Sequence, residues 1–125
     1  MSNQLLHELK QFIGTKHWHA YWINKKLVYT DGVHHLAKET ESYWLIDEIG
    51  YIFSRLANEF EDWFYDIQFQ VLPDSSAIFS VGDGNGNIYF HHKIKWTDFP
   101  ITEKPITFYL CEAEGHYCLM LPSEY

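Results

Sequence analysis

The sequence predicts an α+β fold, with N-terminal helices packed on one face of a C-terminal antiparallel sheet of about four to five strands. Two observations carry that reading. Apolar residues recur at helical spacing up to about residue 57, and from about residue 62 the hydrophobic period switches to two. Glycine- and asparagine-rich turns then separate the alternating runs, which is the pattern of hairpins rather than of crossover units. The 125 residues fit one domain, 1–125, with a helical part over about 3–57 and antiparallel hairpins over about 62–122.

Taken in order, Leu5, Leu6, Leu9, Phe12 and Ile13 are helically spaced and Gly14 follows as a stop, so residues 3–13 read as a short amphipathic helix. Leu27-Val28-Tyr29 is β-prone and reads as one short strand or an extended connection. Thr30 or Asp31 caps a second helix that turns Val33, Leu36 and Ala37 inward. In the third helix Leu45, Ile46, Ile49, Ile52, Phe53 and Leu56 share one arc of about 120°. Its other side carries Tyr43, Trp44, Asp47, Glu48, Tyr51, Ser54 and Arg55, so large aromatics lie among the charges.

Trp63, Tyr65, Ile67, Phe69 and Val71 alternate with polar residues as a half-buried strand, and Pro73-Asp74 turns the chain. Ala77, Phe79 and Val81, then Ile88, Phe90, Ile94 and Trp96, flank Gly82-Asp83-Gly84-Asn85-Gly86-Asn87 as a first hairpin. Residues 106–110 and 117–121 form a second across Glu114-Gly115.

Composition limits function. At 46% hydrophobic and 18% aromatic residues the chain is not disordered, and no apolar run approaches a membrane span. The polar start followed by an amphipathic stretch is not a signal peptide, so two cysteines read as reduced thiols and the expected location is cytoplasmic. A net charge of −8 disfavours direct binding to duplex DNA. The charge is also uneven. Residues 1–38 hold two acids against five lysines, 39–92 hold ten acids against Arg55 alone, and 93–125 hold five acids against three lysines.

The chemical motifs stop short. Asp83-x-Asn85-x-Asn87 opens like a calcium loop, but Ile88 and Ile94 stand where that loop needs Gly and a bidentate Glu. The glycines there are not followed by Lys-Ser/Thr, so they do not form a phosphate loop. Among eight histidines, His17/His19, His34-His35 and His91-His92 lack metal-ligand spacing. Cys111, His116 and Cys118 flank one turn and would need a fourth ligand such as Glu114. No Gly-x-Ser-x-Gly elbow is present, and the neighbouring carboxylates Asp47-Glu48 and Glu61-Asp62 diverge on regular backbone. No catalytic set, metal-ligand set or cofactor motif is therefore assigned. Tyr89, His91, Lys93 and Lys95 form the expected outward face of one strand, a small basic-aromatic stripe.

What remains is an acidic-aromatic constellation: Trp44, Asp47, Glu48, Tyr51, Arg55, Glu59, Glu61 and Asp62. Trp, Tyr and Arg are the types enriched at binding hot spots, and a concentrated field of one sign steers a partner of the other. These residues point to a non-enzymatic protein-binding module. The alternatives are a small hydrolase or metal-dependent enzyme using His/Cys/Asp groups, or a ligand-binding domain with an aromatic pocket.

Tyr29-Thr30-Asp31-Gly32-Val33, Tyr43-Trp44-Leu45-Ile46-Asp47-Glu48-Ile49, Asp83-Gly84-Asn85-Gly86-Asn87, Thr97-Asp98-Phe99-Pro100 and Leu121-Pro122-Ser123-Glu124-Tyr125 follow one another in an order that resembles an uncharacterised family of small bacterial proteins, a domain of unknown function. Members of that family turn up on phages, plasmids and other mobile elements. The resemblance implies no catalytic residues. It implies a host protein as partner, including nucleic-acid-binding ones such as nucleases of bacterial immunity (CRISPR-type), and a role as inhibitor or modulator.

Overall fold

The computed structural model describes Gln4, Leu5, residues 17–113 and residues 115–125. The helix expected over 3–13 lies outside the described residues apart from Gln4 and Leu5, which are helical. From residue 19 the elements are β1 (His19–Ala20), β2 (Leu27–Tyr29), α1 (Asp31–Glu39), α2 (Tyr43–Glu59), β3 (Phe64–Val71), β4 (Ala77–Gly82), β5 (Ile88–Ile94), β6 (Ile106–Ala113), β7 (His116–Met120) and a 3₁₀ turn (Pro122–Glu124).

The α+β class holds, but the sheet is larger than expected. Among the described residues it has seven strands, in the order β1-β2-β7-β6-β3-β4-β5. Strands β3 to β7 form the anticipated antiparallel part. The two extra strands come from the N-terminal region, and β2 runs parallel to β7 with Leu27 opposite Tyr117 and Tyr29 opposite Leu119, so the sheet is mixed. The β-prone run Leu27–Tyr29 is the short strand that its composition allowed, but its partner is 90 positions away, so no local pattern announces the pairing.

Both helices lie over one sheet face. Val33, Leu36 and Ala37 of α1 and Leu45, Ile46, Ile49, Ile52, Phe53 and Leu56 of α2 are buried in one cluster with Ile67, Phe69, Phe79, Val81, Phe108, Leu110 and Leu119. Burying such side chains contributes about 1.5–3 kcal/mol each, and this interface supplies the main driving force.

The helix boundaries follow from side-chain chemistry. Thr30 caps α1, its Oγ1 accepting from Val33 N. Glu124 reinforces that end: its carboxylate accepts from Thr30 Oγ1 at 2.6 Å, Gly32 N at 3.1 Å and Leu121 N at 3.0 Å. The approach is close at Gly32, where a Cβ would lie 2.6 Å from Glu124 Oε1 and force that carboxylate to shift. Two of the five sequence motifs therefore meet as one cap.

The glycine-rich turn is also structural. Asp83 Oδ1 accepts from Asn85 N and Asn87 N, and its Oδ2 from Asn87 Nδ2. These bonds, that from Asn87 first, hold the Asp83 carboxyl below the usual carboxylate range. The turn's own N–H groups thus occupy the carboxylate that a calcium loop would offer to the ion.

Two alternation expectations fail locally. Between Val81/Gly82 and their partners the register shifts, so Gly82 faces Ile88, Val81 faces Phe90, and Tyr89 is the extra residue of a bulge. Tyr89 consequently turns to the helix side, 4.7 Å from the Phe60 ring and 5.9 Å from Tyr65, and leaves the expected outward stripe of His91, Lys93 and Lys95. Trp63, Ile88 and Trp96 stand just outside, or at the end of, their strands, where nothing enforces the alternation, and all three are exposed.

Candidate interaction surface

The outer flank of α2 is a stripe at helical spacing, Trp44, Glu48, Tyr51, Arg55 and Glu59, which the fold lays alongside the edge strand β5. Trp44 is half-buried, its ring edge-on to Phe69 at 6.3 Å and to Phe99 at 6.4 Å. It is a packing residue, and it joins the Tyr43–Ile49 motif to the Thr97–Pro100 motif. Inside the latter, Phe99 N donates to the buried Thr97 hydroxyl.

Glu48 Oε2 lies 2.7 Å from His92 Nε2, and since a carboxylate only accepts, the imidazole donates. Tyr51 sits 5.3 Å from the same imidazole but remains 59% exposed. Arg55 stacks over Phe90 at 4.0 Å and bonds Glu59 at 2.6 Å. The helix face left open by the sequence reading is therefore partly closed by β5, whose inward side chains hold Glu48 and Arg55 in place. Asp47, Tyr51, Glu59 and Glu61 remain exposed.

Asp62 belongs to the framework. Its Oδ2 accepts from Tyr89 Oη at 2.9 Å and its Oδ1 from Trp63 N. Its N–H donates to Tyr65 Oη, and its carbonyl accepts from Tyr117 Oη at 2.6 Å. The bond to Asp62, with burial second, pushes the Tyr89 phenol up to about 12. This node locks the exit of α2 to β3, β5 and β7.

The thiols face one another without chemistry. Cys111 and Cys118 are directly opposite on β6 and β7, both free and buried. Burial raises both, Cys118 to about 12, so neither is a ready thiolate. His116, opposite Ala113, is exposed, and Glu114 lies outside the described residues. Among the described residues no group of three or more His, Cys, Asp or Glu side chains could hold a metal ion.

Two clusters escape the sequence reading. In one, His19 of β1 stacks on His34 of α1 at 4.4 Å and 5°, beside Tyr29 at 5.2 Å, with His19 Nε2 3.0 Å from Asp31 Oδ1. In the other, Phe64 and Tyr109, on the sheet face away from the helices, meet Trp63 and Tyr125, with ring centroids 5.1–5.8 Å apart along the chain of contacts. Each joins residues from distant segments, and only the strand register reveals them.

No described helix is long and apolar enough to cross a membrane. No curated relative and no solved structure matches the chain. The model of a family of unknown function, DUF6876, matches residues 3–125, and the chain belongs to that family.

Proposed function

We propose that the protein is a non-enzymatic binding module of the cytoplasm that docks a basic surface of a partner protein along the α2 ridge and its exit. Asp47, Tyr51, Glu59 and Glu61 are the contact residues, with Glu48 and Arg55 held behind them by β5. The supporting observation is the exposure of Tyr51 beside these acids within residues 39–92, where Arg55 is the single basic residue against ten acids. An exposed tyrosine in a one-signed field supplies an anchor and electrostatic steering together. In the mobile-element setting that the motif order implies, the partner is a host protein with a nucleic-acid channel, such as a nuclease of bacterial immunity, and docking inhibits or modulates it.

The test is affinity capture from bacterial lysate at low and physiological salt, with Glu59→Lys/Glu61→Lys and Tyr51→Ala beside the parent. Asp62 is left intact because its substitution would unlock the fold. Capture that weakens with salt and with each variant supports the reading. Capture indifferent to all three refutes the acidic ridge.

A further inference from the structure

Beyond the ridge, the open sheet face carries the aromatic cluster at its β3–β6 corner. Trp63 and Tyr125 are 60% and 68% exposed, an unusual state for two large rings that touch a common neighbour. That neighbour is Phe64, 5.6 Å from Trp63 and 5.8 Å from Tyr125. Tyr125 stands at 78° to Phe64 and 82° to Tyr109, so it meets both rings edge to face. Asp66 lies directly across from Tyr109 on the same face, with Gln68 donating to its Oδ1.

Charge identifies the occupant. The rings come from two stretches, 56–92 and 105–125, and neither contains a lysine or an arginine. An aromatic corner with a carboxylate beside it and no cation from its own segments presents negative ring faces to an incoming positive group. A planar guanidinium fits better than an ammonium, since it stacks on a ring while bonding a carboxylate. The exposed acid Glu61 lies two residues before Trp63, so the corner is continuous with the end of the ridge.

We infer that Trp63, Phe64, Tyr109 and Tyr125 with Asp66 form a receptor for an arginine side chain of a partner protein's basic segment. The inference rests on the reading of a basic protein partner, and it adds a second point of attachment around the corner from α2.

The experiment uses the full chain and a fluorescently labelled eight-residue Arg-Gly repeat peptide, followed by anisotropy at 50 and 150 mM salt. Trp63→Ala and Tyr125→Ala should each weaken binding about three- to fivefold, the range of an exposed cation–ring contact. Trp63→Phe should recover most of the loss, and a Lys-Gly peptide should bind more weakly. Trp22→Ala and Trp96→Ala, which remove exposed rings elsewhere, should change nothing. Circular dichroism checks that each variant is folded.

Arg-peptide binding that Glu59→Lys/Glu61→Lys weakens and Trp63→Ala does not would overturn the receptor while leaving the ridge standing. Equal binding of a Glu-Gly peptide or of single-stranded oligothymidine would overturn it as well. No binding of any cationic peptide would overturn it too, and the lysate capture then judges the ridge independently.

Discussion

Replacing Glu124 by alanine removes one carboxylate from three donors at the start of α1. Gly32 N and Leu121 N lose their acceptor, and Gly32 is buried. A stranded backbone N–H costs about 1–3 kcal/mol, and the lost carboxylate at a helix N-terminus adds about 0.3–1 kcal/mol. Glu124 is itself only half-buried, so water replaces part of what is lost. The expected destabilisation is therefore about 2–4 kcal/mol. For a domain of this size that corresponds to a fall in Tm of about 6–15 °C.

Glu124→Gln separates the contributions. The amide oxygen can keep the Oε1 partners, Thr30 and Leu121, but its nitrogen faces Gly32 N–H donor to donor, so about half the loss remains. Gly32→Ala attacks the same contact from the other side, with its Cβ 2.6 Å from Glu124 Oε1 and 2.8 Å from Leu121 Cδ1. The double variant Gly32→Ala/Glu124→Ala should therefore cost less than the two singles added. Urea and thermal unfolding followed by circular dichroism measure all four proteins. A Tm drop below about 2 °C for Glu124→Ala, or strict additivity, would refute the cap.

Gly50→Ala should destabilise by about 1–3 kcal/mol, because its Cβ would sit 2.6 Å from the buried Tyr21 ring; chemical denaturation checks it. Burial, with the neighbouring His19 second and Lys38 third, lowers the His34 pKa below its ordinary value of 6.5, so the folded protein favours neutral His34. Its contribution is present above pH of about 6.5 and lost as pH falls below that, and His34→Phe should flatten the decline in stability between about pH 7 and 5. Cys111 and Cys118 should react with a thiol reagent only at the rate of unfolding, since both are buried with raised pKa; urea should accelerate labelling and low salt should not.

The parts of the fold governed by local spacing were legible. The apolar arc of α2, the Thr30 cap and the turn around Asp83 all stand where the residue pattern placed them. The failures share a cause. Tyr89 reversed its face because a bulge is set by pairing with β4, which no spacing within β5 encodes. At Leu27–Tyr29, where composition left a strand or a connection open, pairing with β7 likewise decides for the strand. Within the ridge, Trp44 and Tyr51 look alike in sequence, yet the Phe69 and Phe99 rings cover one and leave the other open. The Trp63–Tyr125 corner was invisible for the same reason, since its members lie on three segments.

The parallel pairing of β2 with β7 also dictates how the chain assembles. The meander β3-β4-β5 closes short loops and can form early, whereas joining Leu27–Tyr29 to Tyr117–Leu119 closes a loop of 90 positions. Only after that closure do Thr30 and Gly32 find Glu124, so the start of α1 is secured by a residue 94 and 92 positions further along the chain. On a ribosome α1 must wait for β7, and a stalled chain lacking residues 116–125 would expose the β6 edge and an unanchored β2.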